Sequence, residues 1–187
     1  MVLIAILAYL LAAGLLLRSA SRARLEANHG WRWLAGAAAL LHLGYHAQVA
    51  WRTPGGPDLH FYSALSLVGL GMAAMTVLMG GRGRSATVGV VVFPLAAVLL
   101  ALYHGHGHAP SAALDWRLQL HAWLALLAYA TLAIAALLAV MLWLQERALR
   151  RREFHGWLRT LPPLTELEQM LFRTIMAGFA LLTLVLL

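Results

Sequence analysis

Six long apolar stretches dominate the chain and set its class before any single residue is considered. They are continuously apolar rather than alternating, which excludes the strands of a membrane barrel and predicts helices. A helix needs about 20 mostly apolar residues to cross the hydrocarbon of a bilayer. The predicted spans are residues 2–17, 33–51, 61–79, 86–103, 118–144 and 170–187. We therefore predict an all-α, polytopic integral membrane bundle that forms a single transmembrane domain over residues 1–187.

The arginines predict how the bundle is oriented in the membrane. The chain has 14 basic residues, all of them arginine, and they concentrate in alternate gaps between the spans. The first, third and fifth gaps hold four, two and five arginines, while the second and fourth hold only Arg52 and Arg117. Cytoplasmic loops carry the excess of positive charge, so the arginine-rich gaps face the cytoplasm and the N-terminus lies outside. We call these two predicted sides inner and outer.

Composition narrows the possible functions. Hydrophobic residues make up 62% of the chain and charged residues 11%, so no soluble domain is predicted on either side. The net charge of +7 indicates membrane orientation rather than nucleic-acid binding, because the arginines flank the spans. Cysteine is absent, which excludes disulfides and thiolate metal sites. None of the seven acidic residues lies in the core of a predicted span, which disfavours an ion-coupled transporter.

Three histidines within predicted spans are the main candidates for a functional site. His42 and His46 are four residues apart on the second helix and share a face, while His121 lies near the outer end of the fifth. At 1.5 Å per residue, His46 lies about 7 Å and His121 about 5 Å below the outer surface. Imidazoles from facing helices at similar depth can ligate a b-type haem, with His121 opposite His46 or His42. Arg52 and Arg117, on the outer side, are predicted to pair with its propionates.

A second candidate site is the outward segment that contains His104, His106 and His108. Histidines that alternate with flexible glycines can bind Cu(II), Ni(II) or Zn(II). Ordering so flexible a loop costs conformational entropy, so we favour a solvated loop and keep the metal site as the alternative. The histidines within the spans also have an alternative interpretation, because a neutral imidazole can simply hydrogen-bond between packed helices.

Two stretches resemble a known family. The segment from His121 through Arg147, and the run from Leu161 through Thr183, are similar to the cytochrome c assembly membrane protein superfamily (CcsA-related), in its HemX/YpjD-like branch. The likeness covers residues 118–187 well and the rest loosely. It implies a helical bacterial inner-membrane protein, longer than this chain, with His42 and His121 as candidate haem ligands. The tryptophan-rich WWD motif of the haem-attaching relatives is absent, so the resemblance implies haem binding, or an accessory role without haem, rather than haem attachment.

These features together predict an inner-membrane protein of cytochrome c-type biogenesis that binds or handles haem, in a binding rather than a catalytic role. The alternative is an accessory subunit without a cofactor that binds a larger membrane complex. Membrane lipids are expected partners, a membrane protein is the partner that the alternative requires, and no nucleic acid is expected. The sequence ends at Leu187 inside an apolar run, and we expect it to be a fragment of a longer protein.

Overall fold

The chain folds into a helical bundle, as predicted. The structure, a computed structural model, describes residues 1–21, 30–53, 56–79, 83–108, 115–151 and 161–186. Within these ranges it contains six α-helices and no strand. The helices are α1 (Val2–Ser21), α2 (Gly30–Arg52), α3 (Phe61–Met79), α4 (Gly89–His106), α5 (Trp116–Arg150) and α6 (Leu164–Leu186), and a short 3-10 helix, Gly83–Val88, leads into α4. Each predicted span corresponds to one helix, which confirms the all-α prediction.

Five of these helices are long and apolar enough to cross a membrane, namely α1, α3, α4, α5 and α6. α2 does not reach the same apolar character, although we predict a span there. It has sufficient length, 23 residues, but it carries Arg32, His42, His46, Gln48 and Arg52. Both of its histidines are buried inside the bundle. Part of the polarity of α2 therefore faces the interior of the bundle rather than the lipid.

The helix ends differ from the predicted spans in three places. α5 has 35 residues and continues at its inner end to Arg150, beyond the predicted span 118–144. α6 begins at Leu164, ahead of the predicted start at residue 170. α4 continues to His106, so His104 and His106 are helical rather than part of a loop. The helix ends where Gly107 adopts a positive φ of 74°, a conformation that glycine adopts without strain.

The packing order of the helices decides which residues can meet. α1 packs on α2 and α4, α3 packs on α2, α4 and α5, and α6 packs on α5. α3 therefore stands between α2 and α5, the two helices that carry the predicted haem ligands. The main apolar core joins all of these layers, and its largest fully buried members include Tyr9, Leu16, Met72, Phe93 and Leu138.

The contact between α3 and α5 requires glycine at position 71. A Cβ there would lie 2.8 Å from Cβ of Ala130, which cannot rotate away, so the helices would have to separate. We expect Gly71→Ala to destabilise the bundle by about 1–3 kcal/mol, the usual cost of overpacking, measured by unfolding in detergent. Gly36→Ala is the matched control, because its Cβ would meet Val77 at an ordinary 3.9 Å. Equal losses in both variants would contradict the close-contact argument.

Candidate functional site

His42 and His46 lie side by side in the interior of the bundle, as their spacing predicts. Their rings are stacked, with centroids 5.4 Å apart and planes inclined by 26°. Both direct Nε2 at the hydroxyl of Ser66 on α3, at 2.9 Å from His42 and 3.0 Å from His46. A hydroxyl has one proton to donate and lone pairs to accept, so Ser66 can donate to one imidazole and accept from the other. The shared face is confirmed, and the helix that it meets is α3.

Aromatic residues contact the two histidines on their deeper side and on their outer side. On the deeper side, the Tyr9 hydroxyl of α1 lies 3.3 Å from Nδ1 of His42, so both ring nitrogens of that fully buried histidine have partners. On the outer side, the His46 ring stacks on Tyr103 of α4, with centroids 4.7 Å apart and planes within 5°. The two histidines are therefore enclosed by polar and aromatic groups from four helices.

Asp58 ties together the outer ends of α3 and α4. Its side chain is buried, and its carboxylate accepts hydrogen bonds from the backbone N–H and the ring of His60. The Tyr103 hydroxyl donates to the same carboxylate at 3.3 Å, and the Ser63 hydroxyl donates to the Asp58 carbonyl. Nδ1 of His108 lies 4.0 Å away. The loop before α3 is thus fixed to α4 through one carboxylate directly above the buried histidines.

Two of the three predicted metal ligands, His104 and His108, converge on Tyr45, while His106 points elsewhere. The Tyr45 hydroxyl lies between Nδ1 of His104, at 2.9 Å, and Nε2 of His108, at 3.1 Å. The His106 ring instead stacks on Tyr62, with centroids 3.8 Å apart. Residues two apart on a helix face different sides, which separates His104 from His106 once α4 continues through both. Across the described ranges, no three His, Asp or Glu side chains are placed to share one metal ion.

His121 does not face His42 or His46, which corrects the predicted pairing. α5 packs on α3 and α6, and α3 stands between α5 and α2. The His121 side chain is exposed, and neither of its ring nitrogens has a hydrogen-bond partner among the residues that the structure describes. Within the described residues, His121 and the histidines of α2 therefore do not form the predicted pair of ligands on opposite sides of one haem.

The register of α3 against α5 gives the level of His121 relative to the histidines of α2. Gly71 of α3 lies against Ala130 of α5, and Met75 meets Thr131, so the two helices run in the same direction. Ser66 is five residues before Gly71, whereas His121 is nine residues before Ala130. At 1.5 Å per residue, His121 therefore lies about 6 Å nearer the outer surface than the level of Ser66. On this register the imidazoles of α2 and α5 differ in level by about one helical turn, and α3 stands between them.

The two arginines predicted to pair with propionates occupy separate helix ends. Both are exposed. Arg117 is four residues before His121, so the two share a face of α5, and its guanidinium lies 5.5 Å from the centroid of the Trp116 ring. Arg52 is the last residue of α2, six residues beyond His46. The structure therefore groups Arg117, and not Arg52, with His121.

Residues 31–187 match the family described as Cytochrome C assembly protein, which covers most of the chain. The chain belongs to the cytochrome c assembly protein family. It is also 30% identical over 174 residues to the inner membrane protein YpjD of three strains of Escherichia coli, K12, O6:H1 and O157:H7. These matches cover 87% of this chain and 64% of each relative, so the chain spans just under two thirds of their length. No solved structure matches it.

The partners of the buried histidines in this member of the cytochrome c assembly protein family were not identified from the sequence. Tyr9, Tyr45 and Tyr103 lie within helices of the bundle, where a buried hydroxyl needs a hydrogen-bond partner. Ser63 and Ser66 lie three residues apart and share one face of α3. Polar groups that face inward in several spans tend to pair with one another. That signal is present in the sequence, but it does not reveal which helices are neighbours.

Asp58 makes the outer end of the protein sensitive to low pH. It lies in the loop before α3, outside the membrane-spanning segments. Burial alone would raise the pKa of Asp58, but the hydrogen bonds and charge of His60, together with the Tyr103 hydroxyl, hold that pKa below its ordinary value of 3.8. A carboxyl whose pKa is lowered by folding stabilises the fold above its unfolded-state pKa, and this stabilisation is lost as the pH falls.

We therefore expect Asp58→Asn to flatten the acid side of the stability profile. The wild type should lose thermal stability in detergent as the pH falls through about 4, while the variant starts lower at neutral pH and changes less. His60, His108 and Tyr103 are the titratable groups that face this carboxyl. Glu146→Gln, an exposed carboxyl on α5, is the control and should keep the wild-type slope. A wild-type slope in Asp58→Asn would show that another group titrates.

Proposed function

We propose that this protein binds haem at the outer side of the bacterial inner membrane and passes it on, acting as a binding protein rather than an enzyme. Membership of the cytochrome c assembly protein family supports a role in cytochrome c biogenesis, and the relatives are named as inner membrane proteins. The observation that carries the proposal is the position of His121 and Arg117, one turn apart on the same exposed face of α5.

The state of the ring nitrogens decides which histidine best suits a haem. An axial ligand offers the iron the lone pair of a ring nitrogen. Both nitrogens of His42 are already hydrogen-bonded, and Nε2 of His46 is engaged by Ser66. Because these two rings lie side by side, they also cannot approach one flat macrocycle from opposite faces. His121 has no competing bond within the described residues, so ligation there requires no rearrangement of the bundle.

The surroundings of His121 suit an amphiphilic ligand with an apolar ring and two carboxylates. Arg117 lies one turn nearer the outer surface and is placed to donate charge-assisted hydrogen bonds to carboxylates. Leu118, exposed on the same side, offers apolar contact. Ala125, one turn deeper, has a side chain small enough to leave room for a flat ring. A b-type haem, whose iron exchanges electrons and ligands when bound, fits this order of groups along the membrane normal.

An open site favours transfer over storage. Pockets that retain a small molecule typically bury about 70–90% of its surface. The outer turns of α5 are exposed on most sides, as Trp116, Leu120 and Trp123 show. A ligand held by His121 and Arg117 would therefore stay accessible to a second protein. The proposal is accordingly that haem is a cargo here rather than a permanent cofactor.

Titration of the purified protein with haem in lipid nanodiscs tests this function. We expect one saturable site, seen as a Soret band displaced from that of haem in empty nanodiscs and as quenching of tryptophan fluorescence. A spectrum identical to that of haem in empty nanodiscs would refute the proposal. A colourless protein that co-purifies in fixed ratio with another membrane protein would instead support the accessory subunit without a cofactor.

A further inference from the structure

α6 presents a continuous seam away from the rest of the bundle. Seven exposed residues follow one another at alternating intervals of four and three, and we call them the α6 seam: Thr165, Gln169, Phe172, Met176, Phe179, Thr183 and Leu186. Four of the seven are apolar, and a repeat that averages 3.5 residues is the spacing of helices that wind around each other in a left-handed coiled coil. The three residues that α6 buries within the bundle lie elsewhere on its circumference.

The opposite side of α6 is already occupied by α5. The residues of α6 buried in the bundle are Leu167, Thr174 and Gly178. Gly178 packs so closely on α5 that a Cβ there would lie 2.6 Å from Leu132. Leu167 and Thr174 are seven residues apart, on the face opposite the α6 seam. The seam is thus free of contacts within the described residues because α6 has turned its other face to α5.

The seam also has the polar features of a specific pairing surface. In heptad terms Phe172 and Phe179 are d positions, and the a positions are Gln169, Met176 and Thr183. Polar residues at a positions help to fix the register of coiled coils, and Gln169 is the polar a residue beside the charged end of the seam. A surface groove of about 420 Å³ runs along this inner half of the seam and is lined by Phe172, Met176 and their polar neighbours. Side chains of another helix can therefore enter between the residues of the seam.

Two charged residues flank the seam with the spacing that a parallel pair requires. Glu168 precedes an a position and Arg173 follows a d position, which makes them g and e residues of the heptad. In parallel coiled coils, a g residue meets the e residue five positions later on the other strand, and such pairs set partner choice and orientation. Glu168 and Arg173 are five residues apart and opposite in charge. Both side chains are exposed, and neither has a salt-bridge partner within the described residues.

We propose that two copies of this protein associate through the α6 seam as a parallel, two-fold symmetric helix pair. Two copies inserted into the membrane with the same topology have parallel α6 helices. The spacing of Glu168 and Arg173 requires this parallel arrangement. The two-fold axis then repeats each contact, so that Glu168 of one copy pairs with Arg173 of the other, twice. Within one copy, neither charge has a salt-bridge partner among the described residues. A second copy of the chain supplies the opposite charge for Glu168 and for Arg173 at the same time.

Disulfide scanning tests the seam, and the absence of natural cysteine gives each variant a single thiol. Phe172→Cys and Phe179→Cys lie on the seam, while Ala177→Cys and Leu184→Cys are exposed on α6 but off the seam. Copper phenanthroline oxidation in native membranes should yield a band at twice the monomer mass for the two seam variants. The two control variants should show no such band. Equal bands in all four variants, no band in any, or a band of a different mass would overturn the proposal.

Charge reversal gives a test that does not depend on cross-linking. Co-purification of two differently tagged copies from one membrane should be lost in Glu168→Arg and in Arg173→Glu, because each places like charges opposite one another. The double variant should recover it. Failure of the double variant to recover co-purification, or retention of co-purification in either single variant, would contradict the pairing. Neither residue takes part in the proposed haem site, so haem titration of the same variants reports that function separately.

Discussion

His121→Ala is expected to weaken haem binding by about 100-fold or more, because loss of an outer-shell partner alone costs metal sites about 10- to 100-fold and His121 is the proposed ligand itself. His42→Ala should leave the affinity nearly unchanged, since both nitrogens of His42 are occupied by Tyr9 and Ser66. The measurement is the haem titration in nanodiscs, followed by the Soret band and by tryptophan quenching. Trp116 and Trp123, close to the site along α5, should contribute most of the quenching.

The spectrum distinguishes an exposed site from a clamp between helices. A single histidine ligand predicts five-coordinate, high-spin haem in the wild type, and added imidazole should convert it to a six-coordinate, low-spin form. Imidazole should also restore part of the binding in His121→Ala, because it replaces the missing ring. A low-spin wild-type spectrum that is lost in His42→Ala would mean that the two helices do clamp the ligand, and the exposed site would have to be abandoned.

The two arginines provide a matched pair of controls for this site. Arg117→Gln should weaken binding by about tenfold, the effect of losing one hydrogen bond to a charged group. Arg52→Gln removes the same charge from the same side of the membrane but lies at the end of α2, away from His121. It should therefore leave the affinity unchanged. Equal effects of both substitutions would indicate general attraction of the carboxylates rather than a site on α5.

The level of each histidine along its helix was predictable from the sequence, whereas the neighbouring helix that it faces was not. That level follows from counting residues along a helix of known rise, and the register of α3 against α5 relates the levels on the two helices. The helix that each histidine faces depends on which helices are neighbours in the bundle. α5 carries alanines on several sides, among them Ala125, Ala128, Ala130 and Ala135, so small residues do not single out one packing face. The position of α3 between α2 and α5 is a property of the whole bundle.

The histidines of α4 show how a local pattern misled the interpretation. Alternating glycine and histidine predicted a loop, yet α4 continues through Gly105 to His106 and ends only at Gly107. The helix is extended by tertiary contacts, since His104 reaches Tyr45 of α2 and His106 stacks on Tyr62 of α3. These contacts join residues distant in the sequence, and they outweigh the weak preference of one glycine against helix. Regular helix geometry therefore separates His106 from His104, while His104 and His108 share the Tyr45 hydroxyl.

Ser66→Ala is expected to cost more stability than any other substitution of a single hydroxyl in the described bundle. Ser66 is fully buried and is the common partner of Nε2 of His42 and Nε2 of His46. One hydrogen bond between membrane helices contributes on average about 0.6 kcal/mol and at most about 1.7 kcal/mol. Two such bonds are lost here, and two buried nitrogens are left without a partner, so we expect about 2–3 kcal/mol.

Reversible unfolding in detergent, compared with Thr76→Val, measures this loss. Thr76 is buried on the same helix, but its hydroxyl donates only to the carbonyl of Met72 one turn earlier, a bond within the helix that contributes little to stability. The control should therefore stay close to the wild type. A double variant that also carries His46→Leu should lose less than the sum of its single changes, because residues that share a hydrogen bond are coupled. Additive losses would mean that the shared hydroxyl does not hold α2 to α3, and that the two buried histidines depend on the surrounding apolar packing instead.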